Sequence, residues 1–130
     1  MAVTIAQTIT IAGITVSTSK QLTPSDEVTI RGTFTVANSE TDKALSIGGI
    51  DVTQLVAVWL SSTAAVTLET NSGSAADDTI VLAADIPYLW YTGAHDSNQI
   101  TTDITSTIYA TNASGAAATI TMIFVQDGTP

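Results

Sequence analysis

Asp77, Asp78 and Asp85 lie within nine residues of one another, and the stretch TLETNSGSAADDTIVLAADIPYLWY (67–91) that holds them ends in an aromatic cluster. Two carboxylates held roughly 5–9 Å apart can hydrolyse a glycoside, and acidic turns can gather the six to eight oxygens that Ca²⁺ takes. The carboxylates sit beside small residues, where Asp serves as a turn former bonded to backbone amides. The spacing also lacks the alternating acidic pattern of a Ca²⁺ loop. His95 is the one candidate base for a Ser–His–acid triad, but it falls in the turn-like GAHDSN and no G-x-S-x-G elbow is present. With one His and no Cys there is no zinc set, and Gly48-Gly49 is followed by neither a helix nor the GK[ST] of a phosphate loop. The reading is a protein that is not an enzyme, with no cofactor and no metal.

Tyr88 and Trp90 are two residues apart, so on a strand they share one face while Leu89 and Tyr91 take the other. Together with Tyr91 and Trp59 they are candidates for an interface, a core or a sugar-stacking platform. Asn112-Ala113-Ser114 matches a glycosylation acceptor, which matters only in a eukaryotic secretory setting.

Positioning these residues falls to strands. Apolar and polar residues alternate with period two through most of the 130 residues, and helical spacing is hardly sustained. Strands are expected at 28–37, 55–60, 65–70, 79–83, 86–91, 100–112 and 119–126, with loops at 20–27, 38–43, 71–78 and 93–99. Gly48-Gly49 suggests a two-residue hairpin within LSIGGIDV. The phase shift at Ala12-Gly13 suggests a bulge or bend, and the tail 127–130 is expected to fray. Short strands with short turns and no crossover helix predict an all-β fold, an antiparallel β-sandwich of jelly-roll type, in one domain spanning 1–130. Residues 1–18 form an extended N-terminal strand or arm. Its Val3, Ile5, Ile9 and Ile11 are candidate contacts to a lattice or neighbouring chain, because a Thr-rich strand can add to another sheet's edge.

Charged residues make up only 12% of the chain, and three basic residues against twelve acidic ones leave a net charge of −9. No Lys/Arg cluster is available to neutralise phosphates, so nucleic acid is excluded as a direct partner, and an anionic membrane is disfavoured for the same reason. The N-terminus lacks the basic leader of a signal peptide, and the absence of Cys suits a reducing cytoplasm.

The order of VTLETNSGSAADDTIVLAADIPYLWY (strand, Gly/Ser/Asp turn, I-x-L strand, short turn, aromatic strand) resembles head decoration, or cement, proteins of tailed bacteriophages and related small all-β virion proteins. The likeness covers about a quarter of the chain closely. It implies a β-sandwich, often a homotrimer, on the outer capsid surface of a virion. Such a protein is made in the host bacterial cytoplasm and stabilises the lattice by binding the major capsid protein. The alternative is a carbohydrate-binding module or tail adhesin using Tyr88, Trp90 and Tyr91.

Overall fold

Ten strands and one 3₁₀ turn make up the computed structural model, which describes residues 2–129. The strands are β1 (Val3–Ile11), β2 (Ile14–Leu22), β3 (Glu27–Val36), β4 (Lys43–Ser46), β5 (Leu55–Ser62), β6 (Val66–Thr70), β7 (Thr79–Leu82), β8 (Tyr88–Tyr91), β9 (Thr107–Thr111) and β10 (Ala118–Asp127), and the 3₁₀ turn is Val52–Gln54. All pairings are antiparallel, and no α-helix occurs among the described residues. The fold is the all-β sandwich that the alternation predicts: one sheet of order β3-β10-β5-β8 and one of order β4-β9-β6-β7, with β1-β2 as a separate ribbon.

Period-two alternation turns one set of side chains inward from each sheet. Val36, Phe124, Met122, Ile120, Val58 and Leu60 from the first sheet meet Leu45, Ile108, Ala110, Val66, Leu68, Ile80 and Leu82 from the second. Ile50, Ile100 and Ile104 close the core from loops. Gly32 occupies an inward slot on edge strand β3, and a Cβ there would lie 2.7 Å from the Phe34 ring. The ring fills the space the missing side chain leaves, which explains a glycine in a strand interior.

Several expectations need correction. Ala12-Gly13 is neither bulge nor bend but the two-residue turn of the β1-β2 hairpin, with φ of 52° and 81°. Positive φ at both central positions is the type I′ geometry that matches strand twist. The arm is therefore two paired strands over 3–22 rather than one strand over 1–18, and β2 takes in residues expected in the 20–27 loop; Met1 lies outside the described residues. Gly48-Gly49 does not make a hairpin. After β4 the chain crosses to the other sheet, making only an Ile50–Ile104 bridge and the 3₁₀ turn on the way. Of 100–112 only 107–111 is strand. The tail is tied down through Thr129: the Asp127 carboxylate accepts the Ser25, Asp26 and Thr129 amides, and the Gly128 amide donates to the Asp26 carbonyl. Pro130 lies outside the described residues.

Those three amides, Ser25 first, hold the Asp127 carboxyl below its ordinary pKa, against a smaller opposing push from burial. A carboxylate depressed in the folded state contributes stability that is present above its unfolded pKa and is lost as pH falls through the folded one. Asp127→Asn should therefore flatten the acid limb of the stability curve in urea titrations run at successive pH values. An unchanged acid limb would contradict this.

Candidate functional site

The sequence in the hairpin reads as two faces once its register is fixed. Paired residues share a face, so Val3/Leu22, Ile5/Lys20, Gln7/Thr18, Ile9/Val16 and Ile11/Ile14 lie on one side, and Thr4/Gln21, Ala6/Ser19, Thr8/Ser17 and Thr10/Thr15 on the other. The polar side is stitched by hydroxyl pairs, Thr8–Ser17 at 3.1 Å and Thr10–Thr15 at 2.7 Å. On the apolar side the base and the tip have different fates. Val3, Ile5 and Leu22 pack onto the outer face of the first sheet, against Ala57, Val125, Ile123, Val56 and Tyr91. Ile9, Ile11, Ile14 and Val16 are 49%, 69%, 68% and 56% exposed.

A nine-residue strand spans roughly 30 Å, and an isolated two-stranded ribbon is marginal in water. The base packing anchors this one, and the tip overhangs. Gln7 still lines a shallow cleft of about 530 Å³ with Leu89, Tyr91, Ala94 and Asp96, which places the point of departure over β8. Four β-branched aliphatics in two cross-strand pairs are held in water at the end of a lever as one contiguous apolar group. Of the expected contacts, Val3 and Ile5 are thus spent on the chain's own sheet, while Ile9 and Ile11 are free. Ile14 and Val16 were missed, because only the Ala12-Gly13 turn brings them onto the same face.

The aromatic cluster divides. Tyr88 and Trp90 face inward and pack against the core, whereas Tyr91 belongs to the hairpin base. Trp59 lies on the outer face of β5 at 36% exposed, its indole N–H donating to Ser61 Oγ at 3.1 Å. Tyr88, Trp90 and Tyr91 all border the cleft that Gln7 lines, but Tyr91 lies on the face of β8 opposite to Tyr88 and Trp90. The Tyr88 hydroxyl donates to Asn98 Oδ1 at 2.5 Å and accepts the Gln99 amide at 2.8 Å, pinning the 93–99 loop. Burial pushes its pKa up, with a smaller contribution from the Asp78 charge, while the Gln99 hydrogen bond opposes them. Its contribution to stability is whole below the ordinary tyrosine pKa and is lost as pH rises through the raised value. Ultraviolet titration should show one phenol ionising after the others, and Tyr88→Phe should remove that late step; a late step that persists in the variant would refute the assignment.

Of the three candidate carboxylates, Asp78 holds loops together across a long sequence distance, while Asp77 bonds within its own loop. Asp78 accepts the Thr101 and Thr102 amides and the Thr101 hydroxyl at 2.7–3.0 Å. Asn71, at φ 65°, accepts from the Thr105 amide and donates to Asp77 Oδ2 and to the Asp103 carbonyl. With the amides of Thr101, Thr102 and Thr105 taken by side chains and only Ile104 making a single backbone bridge, to Ile50, this segment forms no continuous ladder, and the strand starts only at Thr107. Asp85 sits in the turn before β8 at φ 59°, its amide donating to the Ser62 carbonyl. His95 is exposed in the 93–99 loop. Among the described residues no group of three His, Asp or Glu side chains is placed to hold a metal ion, and no helix is long and apolar enough to cross a membrane.

Asn112 of the apparent glycosylation triplet is fully buried. Its amide nitrogen donates to the carbonyls of Val36, Ala37 and Ala116, and its oxygen accepts from the Ser114 amide and hydroxyl. It fastens the end of β3 to the turn between β9 and β10.

The chain matches no described protein family and no curated protein. Among solved structures it is similar to a protein from the work described as "Bacillus endospore appendages form a novel family of disulfide-linked pili", with 16% identity, a TM-score of 0.40, and coverage of 78% of this chain and 88% of that one. A likeness at that level carries no argument about function.

Proposed function

We propose that the chain is a structural subunit of a multi-copy protein shell, held in place by its N-terminal hairpin. In its specific form the proposal is a decoration protein on the outer capsid surface of a tailed phage. It would be made in the bacterial cytoplasm, assemble as a homotrimer, bind the lattice of the major capsid protein, and act without catalysis. The observation that carries it is the overhanging tip: Ile9, Ile11, Ile14 and Val16 stand in water on an anchored lever. Burying four such side chains from their present exposure is worth on the order of 5 kcal/mol before the costs of association. Binding an intact lattice but not a ruptured one stabilises the former by mass action, and many copies add their contributions. The acidic body discourages adhesion to the genome during assembly.

The test replaces Thr8–Ser17 by Asn-Gly, so that the paired residues Gln7 and Thr18, which stand in the same hydrogen-bonding phase of the ladder as Ile11 and Ile14, flank a type I′ turn and the base packing is kept. This variant should fold with unchanged thermal unfolding and fail to cosediment with capsids. Retained binding at full occupancy would sink the proposal.

A further inference from the structure

We infer that the hairpin tip of one copy adds to the free edge of β3 in a second copy of this chain, joining sandwiches head to tail. The inference rests on the reading of the hairpin as the contact that holds the chain in a shell, and commits its receiver to a sister subunit.

Strand β3 is an edge of its sheet, paired among the described residues with β10 alone, and it is ten residues long. Its outer row of backbone N–H and C=O groups is a template for another strand. Three independent properties of the arm fit that edge. Length is the first: the overhanging part of the arm, residues 7–11 and 14–18, offers five residues per strand, which β3 can receive along its ten, whereas the other edge strands β4, β7 and β8 are four. The second is the pattern of faces. Along β3, Val28, Ile30 and Phe34 face inward, with Val28 still 42% exposed and Ile30 and Phe34 only partly buried, while Thr29, Arg31, Thr33 and Thr35 face outward. An added hairpin would continue both surfaces, its aliphatic tip beside the inward row and its Thr/Ser side beside the outward Thr row. The third is charge. Lys20 is the one charged side chain in residues 2–22, so the arm carries +1; residues 23–129 hold all twelve acidic residues with Arg31 and Lys43, which makes −10. The arm is therefore the stretch of chain that can approach an acidic copy without like-charge repulsion.

Direction also agrees. The arm leaves over β8, and β8 and β3 are opposite edges of one sheet, separated by β5 and β10. An arm cannot fold back to its own β3, but a neighbour standing on the β8 side can offer it one. Such a contact is heterologous, and repeats until it closes a ring or runs on as a filament.

The test uses the purified full chain with no other protein, in sedimentation velocity over a concentration series. The wild type should associate as concentration rises, and Ile11→Glu with Ile14→Glu, both at exposed positions, should weaken association roughly a hundredfold with an unchanged circular dichroism spectrum. Because the chain lacks Cys, contact can be mapped by mixing a Thr10→Cys chain with chains carrying a single Cys at Thr29, Thr33 or Thr35 and adding a short bis-maleimide. Heterodimers should form with those positions and not with Val81→Cys on edge strand β7. A wild type that stays monomeric to its solubility limit, or crosslinking to Val81→Cys alone, overturns the inference. If the isolated chain is monomeric yet its tip is needed for capsid binding, this inference falls and the proposed function stands. If it associates through the tip but ignores capsids, the reverse holds.

Discussion

Replacing Asn112 by alanine is expected to lower the unfolding free energy by about 3 kcal/mol, measured by urea denaturation with the m-value unchanged. The residue is fully buried and its amide serves three carbonyls and one Ser114 side chain and amide at once. Removing it takes a partner from the carbonyl of buried Val36 and leaves a gap at a fully buried site, where an unpaired group costs about 1–3 kcal/mol, while the exposed Ala37, Ser114 and Ala116 groups can turn to water. The backbone bonds of Asn112, to Glu40 and from Ser39, remain, so the loss belongs to the side chain. Asn112→Asp should cost at least as much, because it turns both amide donors into acceptors that face carbonyl oxygens. A loss below about 1 kcal/mol for Asn112→Ala would show that the network is not what fastens β3 to the β9–β10 turn.

Asn112 also marks a limit of reading sequence locally. The triplet around it is a pattern for modification, and its partners Val36 and Ala37 are some 75 residues away. The same limit explains which elements were legible. Alternation in 28–36, 66–70, 79–82 and 118–126 states which residues face inward, and the sandwich uses it directly. Turn chemistry was less faithful. Gly48-Gly49 has the composition of a hairpin, but the strands it lies between, β4 and β5, belong to different sheets, so the chain after β4 leaves for the other layer. Ala12-Gly13 lacks the Asn-Gly or Asp-Gly signature because its first position is an alanine held at positive φ, a conformation that costs free energy and is sustained by nine paired residues on either side. The exposed tip was half visible for the same reason: Ile9 and Ile11 belong to an alternating run, whereas Ile14 and Val16 join them only through the turn.

The aromatic strand gives the second large effect. Trp90→Ala is expected to cost about 3 kcal/mol of global stability, while Tyr91→Ala, one residue along the same strand, should leave global unfolding within about 1 kcal/mol of wild type and loosen the hairpin instead. The difference follows from the faces. Trp90 pairs with Val58 across β5 and points into the sandwich beside the core, where truncating a large ring removes contacts and leaves a cavity; partial burial keeps the cost at the low end of the range for Trp. Tyr91 pairs with Ala57 on the outer face and belongs to the same apolar cluster as Val3, Ile5 and Leu22 of the hairpin base. Losing it exposes the anchor of the lever without opening the core. Amide hydrogen exchange separates the two outcomes: Tyr91→Ala should accelerate exchange in residues 3–22 selectively, and Trp90→Ala should accelerate it through β5, β8 and β10 together. If both substitutions destabilised the sandwich equally, the base packing would be part of the core, and the hairpin could not act as a separately anchored arm that presents Ile9, Ile11, Ile14 and Val16 to a neighbour.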